Sequence, residues 1–208
     1  PTEFTWSQRD KDGKVVSTDK YTPLSFYNKL WGYDLNNDYV LVMNDPSREY
    51  YKVYQIEYDR HTYDGHDWVY LNLPNEEVKP MLIASLKDST AMYISCDVNK
   101  FLNRQKGVMD LKNFDYESLL GVTMTMDKKE RIITHASASS HAMTLIAVDI
   151  DKSTSKPTKW MVENSWGKEN GFKGNYIMTD EWFNEYMFRF VLNKKYVPES
   201  VAKLDRKS

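Results

Sequence analysis

The chain has 208 residues, of which 28 are basic and 30 are acidic, and its formal net charge is −2. This balance gives no general electrostatic reason to bind nucleic acid, and no apolar run approaches the roughly 20 residues that a membrane-spanning helix needs. The single cysteine excludes an internal disulfide framework and favours a reducing, cytoplasmic setting. Four histidines without a paired cysteine argue against a structural zinc site, so we predict neither a metal nor a cofactor.

The first third of the chain predicts one short helix among strands and loops. Thr22 has the side chain of a helix cap, Pro23 fits the first helical position, and apolar residues follow at helical spacing until Gly32. We therefore predict a helix over residues 22–31. The other elements predicted here are an extended lead-in over residues 1–20 with a turn at Asp12–Gly13, strands over residues 39–43 and 50–58, and a polar loop over residues 60–68.

The middle of the chain predicts a longer helix followed by mixed structure. Asn75 and the two acidic residues after it have the pattern of a cap and an acidic first turn, and apolar residues share one face as far as Leu86. Pro80 should kink this helix or mark its true start. The other elements predicted here are a strand over residues 91–96, a short helix over residues 116–120, a strand over residues 121–126 and an exposed turn over residues 127–130.

The last part of the chain predicts mostly strands. These cover residues 143–150, 159–163, 175–179 and 187–192, with a helical turn capped by Asp180 before the last of them. A chain that is helix-rich early and strand-rich late predicts an α+β fold, with an antiparallel half-barrel and a few flanking helices. We divide it into residues 1–75, which precede the half-barrel, residues 76–193, which form it, and a charged tail over residues 194–208 that we expect to be partly mobile.

Two of these strands carry residues suited to catalysis. His141 precedes a small, apolar strand, and Asn164 ends the strand that follows it after a turn. Antiparallel neighbours bring the two side chains together, so the amide can accept a hydrogen bond from one imidazole nitrogen and leave the other for a thiol. Trp166 can cover the pair and exclude water. Taken singly, a histidine on an apolar strand is more often a core residue and an Asn-Ser pair is a turn, but the combination points to catalysis.

The combined pattern resembles the papain-like cysteine peptidases, and more narrowly the C-terminal half of the bleomycin hydrolase and bacterial aminopeptidase C family. The resemblance runs through nearly the whole chain. The segments that carry it are Tyr21–Tyr27, Asn44–Pro46, Cys96–Lys100, Ser140–Thr144, Lys159–Gly167 and Met178–Phe183.

This resemblance implies a papain-like fold and a cytosolic thiol aminopeptidase that removes N-terminal residues from peptides. It also implies a homohexameric barrel whose active sites face an inner cavity. In such a site His141 is the general base and acid, Asn164 orients its imidazole, and Trp166 screens their hydrogen bond from water. Residues that flank the histidine line the substrate cleft in this fold, which makes Ser140 and Ala142 candidate pocket walls.

The chain departs from the family at the nucleophile. The family's thiol lies in a Gln-to-Cys-Trp segment of the N-terminal half, and no Cys-Trp pair occurs here. Cys96 matches a different family segment, and with no cation closer in sequence than Lys100 nothing visible lowers its pKa. We therefore predict a chain that is inactive unless an N-terminal half supplies the thiol. Family members also end in a short apolar tail that enters the cleft, whereas residues 203–208 are mainly charged.

Two other interpretations remain open at this stage. One is a non-catalytic relic or interaction module that keeps the papain fold without its chemistry; a Gln and a Cys-Trp pair upstream would decide against it. The other is nucleic-acid binding, which some family members suggest. The balanced charge and the short basic tail disfavour it, and it would require binding that weakens steeply with salt.

Overall fold

A computed structural model describes residues 2–204 of the chain. Its contacts form two compact units, with the boundary between Asp38 and Tyr39. The elements of the first unit are strands β1 (Phe4–Arg9) and β2 (Val15–Tyr21) and helices α1 (Pro23–Leu30) and α2 (Leu35–Asp38).

The first unit is an antiparallel hairpin followed by short helices. The turn predicted at Asp12–Gly13 is confirmed, since Gly13 has a φ of 81°, a conformation that glycine adopts without strain. The predicted helix is also confirmed: Thr22 and Ser25 form a reciprocal capping box, and Pro23 is the first helical residue. Edge-to-face aromatic contacts give this unit a small core of its own; its rings are those of Phe4, Trp6, Tyr21 and Phe26.

The second unit is built on a mixed sheet that has ten strands within the described residues. Its strands are β3 (Tyr39–Met43), β4 (Lys52–Gln55), β5 (Val69–Asn72), β6 (Met92–Cys96), β7 (Leu102–Asn103), β8 (Val108–Met109), β9 (His141–Ile150), β10 (Pro157–Glu163), β11 (Asn175–Thr179) and β12 (Met187–Asn193). Its helices are α3 (Asn75–Lys87), α4 (Tyr116–Leu120), α5 (Lys128–Ile133), α6 (Asp180–Tyr186) and α7 (Glu199–Ala202), with a 3₁₀ turn at Lys194–Tyr196.

The strands lie in the order β4-β5-β3-β12-β6-β9-β10-β11-β8-β7. The β3–β5 and β11–β8 pairs are parallel and the other neighbours are antiparallel, so the predicted antiparallel architecture holds for the centre of the sheet. Strands β3 to β5 belong to the same sheet as the C-terminal strands. The compact units therefore divide at residue 38, whereas the sequence pattern predicts a division after residue 75.

The core lies against this sheet and is rich in large aromatic side chains. Trp160, Tyr176, Trp182, Phe183 and Phe190 are fully buried, which confirms the expectation that Trp182 is a core residue. Rings of this size contribute most of the apolar area that stabilises such a fold. Helix α6 packs on β10 and β11, so it stiffens the strands on either side of residues 164–174.

Helix α3 confirms the predicted element but not its cap. Pro74 occupies the cap position without a side-chain hydrogen bond, and Asn75 is the first helical residue, where its amide donates to Asn184 Oδ1. Pro80 lies inside the helix and does not mark its start. Similarly, Thr179 and not Asp180 caps α6, because the Thr179 hydroxyl accepts the Trp182 N–H.

The predictions for residues 121–130 are wrong. Residues 122–126 form no strand, and their alternating Val122, Met124 and Met126 are exposed. The predicted exposed turn is instead the start of α5, which has a capping box between Asp127 and Glu130. An Asp followed three residues later by a Glu is a helix-start signal that outweighs the apolar alternation before it.

The described part of the C-terminal tail is packed onto the second unit. After the 3₁₀ turn, Val197 and Val201 are buried and belong to the core cluster. These two apolar side chains anchor residues 194–202, within the charged tail that the sequence predicts to be partly mobile. Residues 205–208 lie outside the described part of the chain.

Six central strands bring a row of mainly polar residues to one end of the sheet, which we call the site end. Adjacent strands run in opposite directions, so the last residue of one strand lies beside the first residue of the next. The residues collected there are Asn44 after β3, Met187 at the start of β12, Cys96 at the end of β6, His141 at the start of β9, Asn164 after β10 and Asn175 at the start of β11.

Candidate active site

His141 and Asn164 meet at the site end, as the sequence predicts. The distance from His141 Nε2 to Asn164 Oδ1 is 2.8 Å, and Asn164 Oδ1 also accepts the backbone N–H of Ser165 at 2.8 Å. A backbone N–H can only donate, so this second bond fixes the orientation of the amide. Nε2 must then carry the hydrogen, and in the neutral ring Nδ1 has the free lone pair.

Trp166 covers this pair from one side. Its ring lies 4.9 Å from the His141 ring at an interplanar angle of 31°, and Tyr176 supports it edge-on at 5.7 Å. Asn164 is buried and His141 is half-buried. A hydrogen bond shielded in this way competes less with water and holds the imidazole in one orientation.

Cys96 lies opposite His141 on the neighbouring strand but is not poised to react. The two are register partners on β6 and β9, yet among residues 2–204 no hydrogen bond joins the thiol to the imidazole. Cys96 is fully buried, and burial, with a smaller contribution from the Asp97 carboxylate, raises its pKa. Since a thiolate is the nucleophile in thiol chemistry, this neutral thiol does not supply one.

Ser140 and Ala142 line a cavity of about 290 Å³ beside His141, on the side of β6 and β12. Ser140 Oγ lies 3.3 Å from Asp97 Oδ1, which ties this wall to the end of β6. The opposite wall comes from the loop that the sequence analysis predicted only as polar, and from β12. Its side chains include those of Asp59, Arg60, His61, Trp68 and Arg189.

The charges in this cavity are paired. Arg189 Nη1 contacts Asp59 Oδ2 at 3.2 Å, and Arg60 Nε lies 3.7 Å from the carboxylate of Asp67. A larger cavity of about 420 Å³ is lined by residues between Phe101 and Met124, and His141, Asn164 and Trp166 do not line it. Of these two cavities, the smaller one is therefore the candidate substrate pocket, because His141 lines it.

Arg104 is a residue of this region that sequence reasoning missed. It lies on the turn between β7 and β8, is exposed, and places its guanidinium carbon 4.4 Å from the centre of the Trp166 ring. The sequence around Arg104 contains no motif that predicts this contact, because the contact joins two loops that are distant in sequence. Within residues 2–204 no ion pair connects Arg104 to a carboxylate.

A close backbone crossing holds these two loops together. A Cβ atom on Gly107 would come within 2.6 Å of Gly171 Cα, and one on Gly171 would come within 2.4 Å of Asn175 O. Both glycines also have positive φ values, of 66° and 58°. Any larger residue would separate the β7–β8 turn from the loop that carries Trp166.

Within residues 2–204, no group of three or more His, Cys, Asp or Glu side chains is placed to hold a metal ion. In the same range no helix is both long and apolar enough to span a membrane.

The α+β fold and the arrangement of the site are those of the papain-like class. A crystal structure of pepw from Lactobacillus rhamnosis HN001 superposes with a TM-score of 0.89 at 33% sequence identity, over 98% of this chain and 46% of that one. A family model described as the Peptidase C1-like family matches residues 1–208, and the chain belongs to this family.

Two groups of curated relatives agree with this assignment. Bleomycin hydrolase of Homo sapiens is 40% identical over 206 residues, and Aminopeptidase C of Lactobacillus delbrueckii subsp. lactis is 37% identical over 205 residues. Each alignment covers at least 97% of this chain but only 45% of the relative. The chain thus spans a little under half the length of the curated relatives it matches.

Proposed function

We propose that this chain is the His- and Asn-bearing part of a cysteine aminopeptidase that removes N-terminal residues from peptides. The observation that carries the proposal is the His141–Asn164 pair, which leaves Nδ1 free at an open sheet end under the Trp166 indole. The names of the relatives, bleomycin hydrolase and Aminopeptidase C, support a peptidase that acts on N-termini. The nucleophile belongs to a segment that these 208 residues do not contain, since the sole thiol is the buried Cys96.

The reaction follows from the position of the free nitrogen. A thiolate, with His141 as its imidazolium partner, attacks the carbonyl carbon of the first peptide bond. His141 gives its Nδ1 proton to the leaving amine as the C–N bond breaks, which leaves a thioester. Water then attacks the thioester while His141 takes its proton, the C–S bond breaks, and the N-terminal residue leaves as a free acid.

The other residues have supporting roles in this scheme. Asn164 holds the imidazole so that Nδ1 faces the thiol, and Trp166 excludes water from the Asn–His bond. Ser140 and Ala142 are walls of the pocket beside the imidazole. No cofactor takes part. By the family resemblance we further propose a cytoplasmic enzyme that assembles as a homohexamer, which size-exclusion chromatography with light scattering would test.

The test is to supply the thiol. The chain is joined to, or mixed with, an N-terminal half of a relative that carries the Gln and Cys-Trp segment, and hydrolysis of an aminoacyl-coumarin is measured with and without iodoacetamide. We expect thiol-blocked activity from the combination and none from the 208-residue chain alone. Activity of the chain alone, or no activity from a folded complex, would contradict the proposal.

The second candidate, a non-catalytic interaction module, is favoured by one observation, the burial of the only thiol. It predicts that the same complex forms but remains inactive. The intact mass of the natural product separates the two at once: a protein of roughly twice this chain's length that contains a Cys-Trp pair supports the enzyme.

A further inference from the structure

The two sides of the His141 imidazole differ in charge. On the cavity side, Arg60 and Arg189 are each paired with an aspartate, so their charges are compensated. On the Trp166 side, Arg104 is exposed and has no carboxylate partner among residues 2–204. An unpaired guanidinium keeps its forked donors available for a ligand, and a carboxylate matches that fork.

This asymmetry gives a bound peptide a preferred direction. The substrate of an aminopeptidase has an ammonium group at one end and, when short, a carboxylate close to the other. Arg104 repels the ammonium and attracts the carboxylate. The peptide therefore lies with its leaving-group side over Trp166 and its first residue toward the cavity beside Ser140 and Ala142.

The distances fit a short leaving group. The guanidinium carbon of Arg104 is 4.4 Å from the centre of the Trp166 ring, and the centre of that ring is 4.9 Å from the centre of the His141 ring. The distance from the guanidinium carbon to the imidazole centre therefore cannot exceed the sum of these two distances. An extended residue spans about 3.3–3.6 Å. Because His141 protonates the leaving amine, a carboxylate one or two residues beyond the cleaved bond comes within reach of Arg104.

The subsite is also held in place. The guanidinium stacks on the indole, a contact that arginine makes better than lysine. The crossing of Gly107 over Gly171 ties the turn that carries Arg104 to the loop that carries Trp166.

We propose that Arg104 and the face of Trp166 form a carboxylate-binding subsite on the leaving-group side of the cleft. It favours peptides whose C-terminal carboxylate, or acidic side chain, lies one or two residues past the cleaved bond. This inference rests on the proposed function and adds the substrate class: di- and tripeptides and acidic leaving groups.

The kinetic test uses the full enzyme that includes the thiol-bearing half. Its substrates are Leu-Gly, Leu-Gly-amide and Leu-Glu-amide, which separate a terminal carboxylate, no carboxylate and an acidic side chain. For the unmodified enzyme we expect kcat/KM to be about tenfold higher for Leu-Gly than for its amide, a modest factor because the subsite is exposed. The preference should weaken as salt is raised.

The variant Arg104→Gln should reduce that ratio to about one, and Arg104→Lys should retain part of it. Lys106→Gln is the matched control: it removes one positive charge from the same exposed turn and should leave the ratio unchanged. If Arg104 only supports Trp166, Arg104→Gln will lower kcat/KM equally for all three substrates. That result, or equal rates for the unmodified enzyme, would overturn the subsite.

A second measurement does not depend on catalysis. The 208-residue chain is titrated with N-acetylglycine and with N-acetylglycinamide while the indole N–H signal of Trp166 is followed by NMR. The carboxylate should shift this signal at lower concentration than the amide, and Arg104→Gln should remove the difference. Equal titrations would overturn the subsite, whereas an inactive full enzyme with a carboxylate-selective shift would overturn only the proposed function.

Discussion

The site end of the sheet holds two polar clusters that use the same kinds of groups in opposite ways. The open cluster is His141 with Asn164, and the closed cluster is Lys128 with Asn44. In the closed cluster Lys128 Nζ donates to Asn44 Oδ1 and to Met187 O, both at 2.5 Å, and the side chain is almost completely buried. Burial lowers the pKa of Lys128 to about 7.

The two clusters differ in whether a hydrogen-bonding atom remains available for a ligand. The contacts of Lys128 are to protein atoms of β12 and the end of β3, so this amino group fastens α5 to the sheet. In the open cluster Nε2 of the half-buried imidazole is hydrogen-bonded, and Nδ1 has no hydrogen-bond partner among residues 2–204. A polar side chain is available for chemistry where the fold fixes its orientation but leaves one of its hydrogen-bonding atoms without a partner.

Removing the open group should have the largest effect. In the thiol-bearing enzyme His141→Ala should lower kcat about 10⁴-fold, because in the proposed mechanism both proton transfers pass through this ring. The melting temperature should change little, since the ring is only half-buried. His66→Ala, on an exposed loop, is the control and should keep full activity. Substantial activity in His141→Ala would show that another base does this work.

In the closed cluster, the protonation state of Lys128 should change the free energy of unfolding with pH. The unfolded chain keeps the lysine proton up to its ordinary pKa of 10.5, whereas the folded chain releases it near 7. Between these values the unfolded state binds more protons, so the free energy of unfolding rises with pH in this window, by up to about 4 kcal/mol.

Lys128→Met should remove this rise in chemical denaturation measured from pH 6 to 10, and the exposed Lys129→Met should retain it. Tyr70 acts in the opposite direction near the upper limit: burial raises its pKa from 10.0 to about 12, so the unfolded chain loses this proton first and the free energy of unfolding falls as pH rises past 10. The comparison between the two variants is therefore the decisive measurement. Parallel curves for both would mean that Lys128 stays charged throughout.

Removing the hydrogen bond that orients His141 should have an intermediate effect on kcat. Asn164→Ala frees the imidazole to rotate and should lower kcat by about 10- to 100-fold, since small misplacements of a catalytic group are costly. KM should change less than kcat, because Asn164 lies behind the ring. Turnover that stays unchanged in a folded variant, as judged by circular dichroism, would disprove the orienting role.

The smallest effect on activity is expected at Cys96. Cys96→Ala should leave kcat within about twofold and lower the free energy of unfolding by about 1 kcal/mol, because it removes a buried sulfur and leaves a small void. The native chain should react with iodoacetamide only after unfolding, as burial raises the pKa of this thiol. A large loss of activity would make Cys96 part of the chemistry.

Sequence reasoning succeeded where local rules decide the structure. The cap at Thr22, the strand ends at His141 and Asn164, and the burial of Trp182 all follow from residue type and spacing. It failed where distant contacts decide. Val122, Met124 and Met126 alternate like a strand but find no partner strand.

The closed cluster and the proposed subsite were beyond the reach of local patterns for the same reason. The burial of Lys128 depends on Asn44, 84 residues earlier in the chain. The stacking of Arg104 on Trp166 depends on the approach of two loops whose sequences contain no common motif. Only the three-dimensional structure shows that these cations have such different surroundings.

The crossing of Gly107 and Gly171 also has a use in protein engineering. It fixes the base of the β7–β8 turn to the Trp166 loop, while residues 104–106 of the turn are free of this steric requirement. These three residues therefore form an exchangeable cassette: libraries randomised at this tip, with both glycines kept, would search for new peptide selectivity while the His141–Asn164 pair is retained.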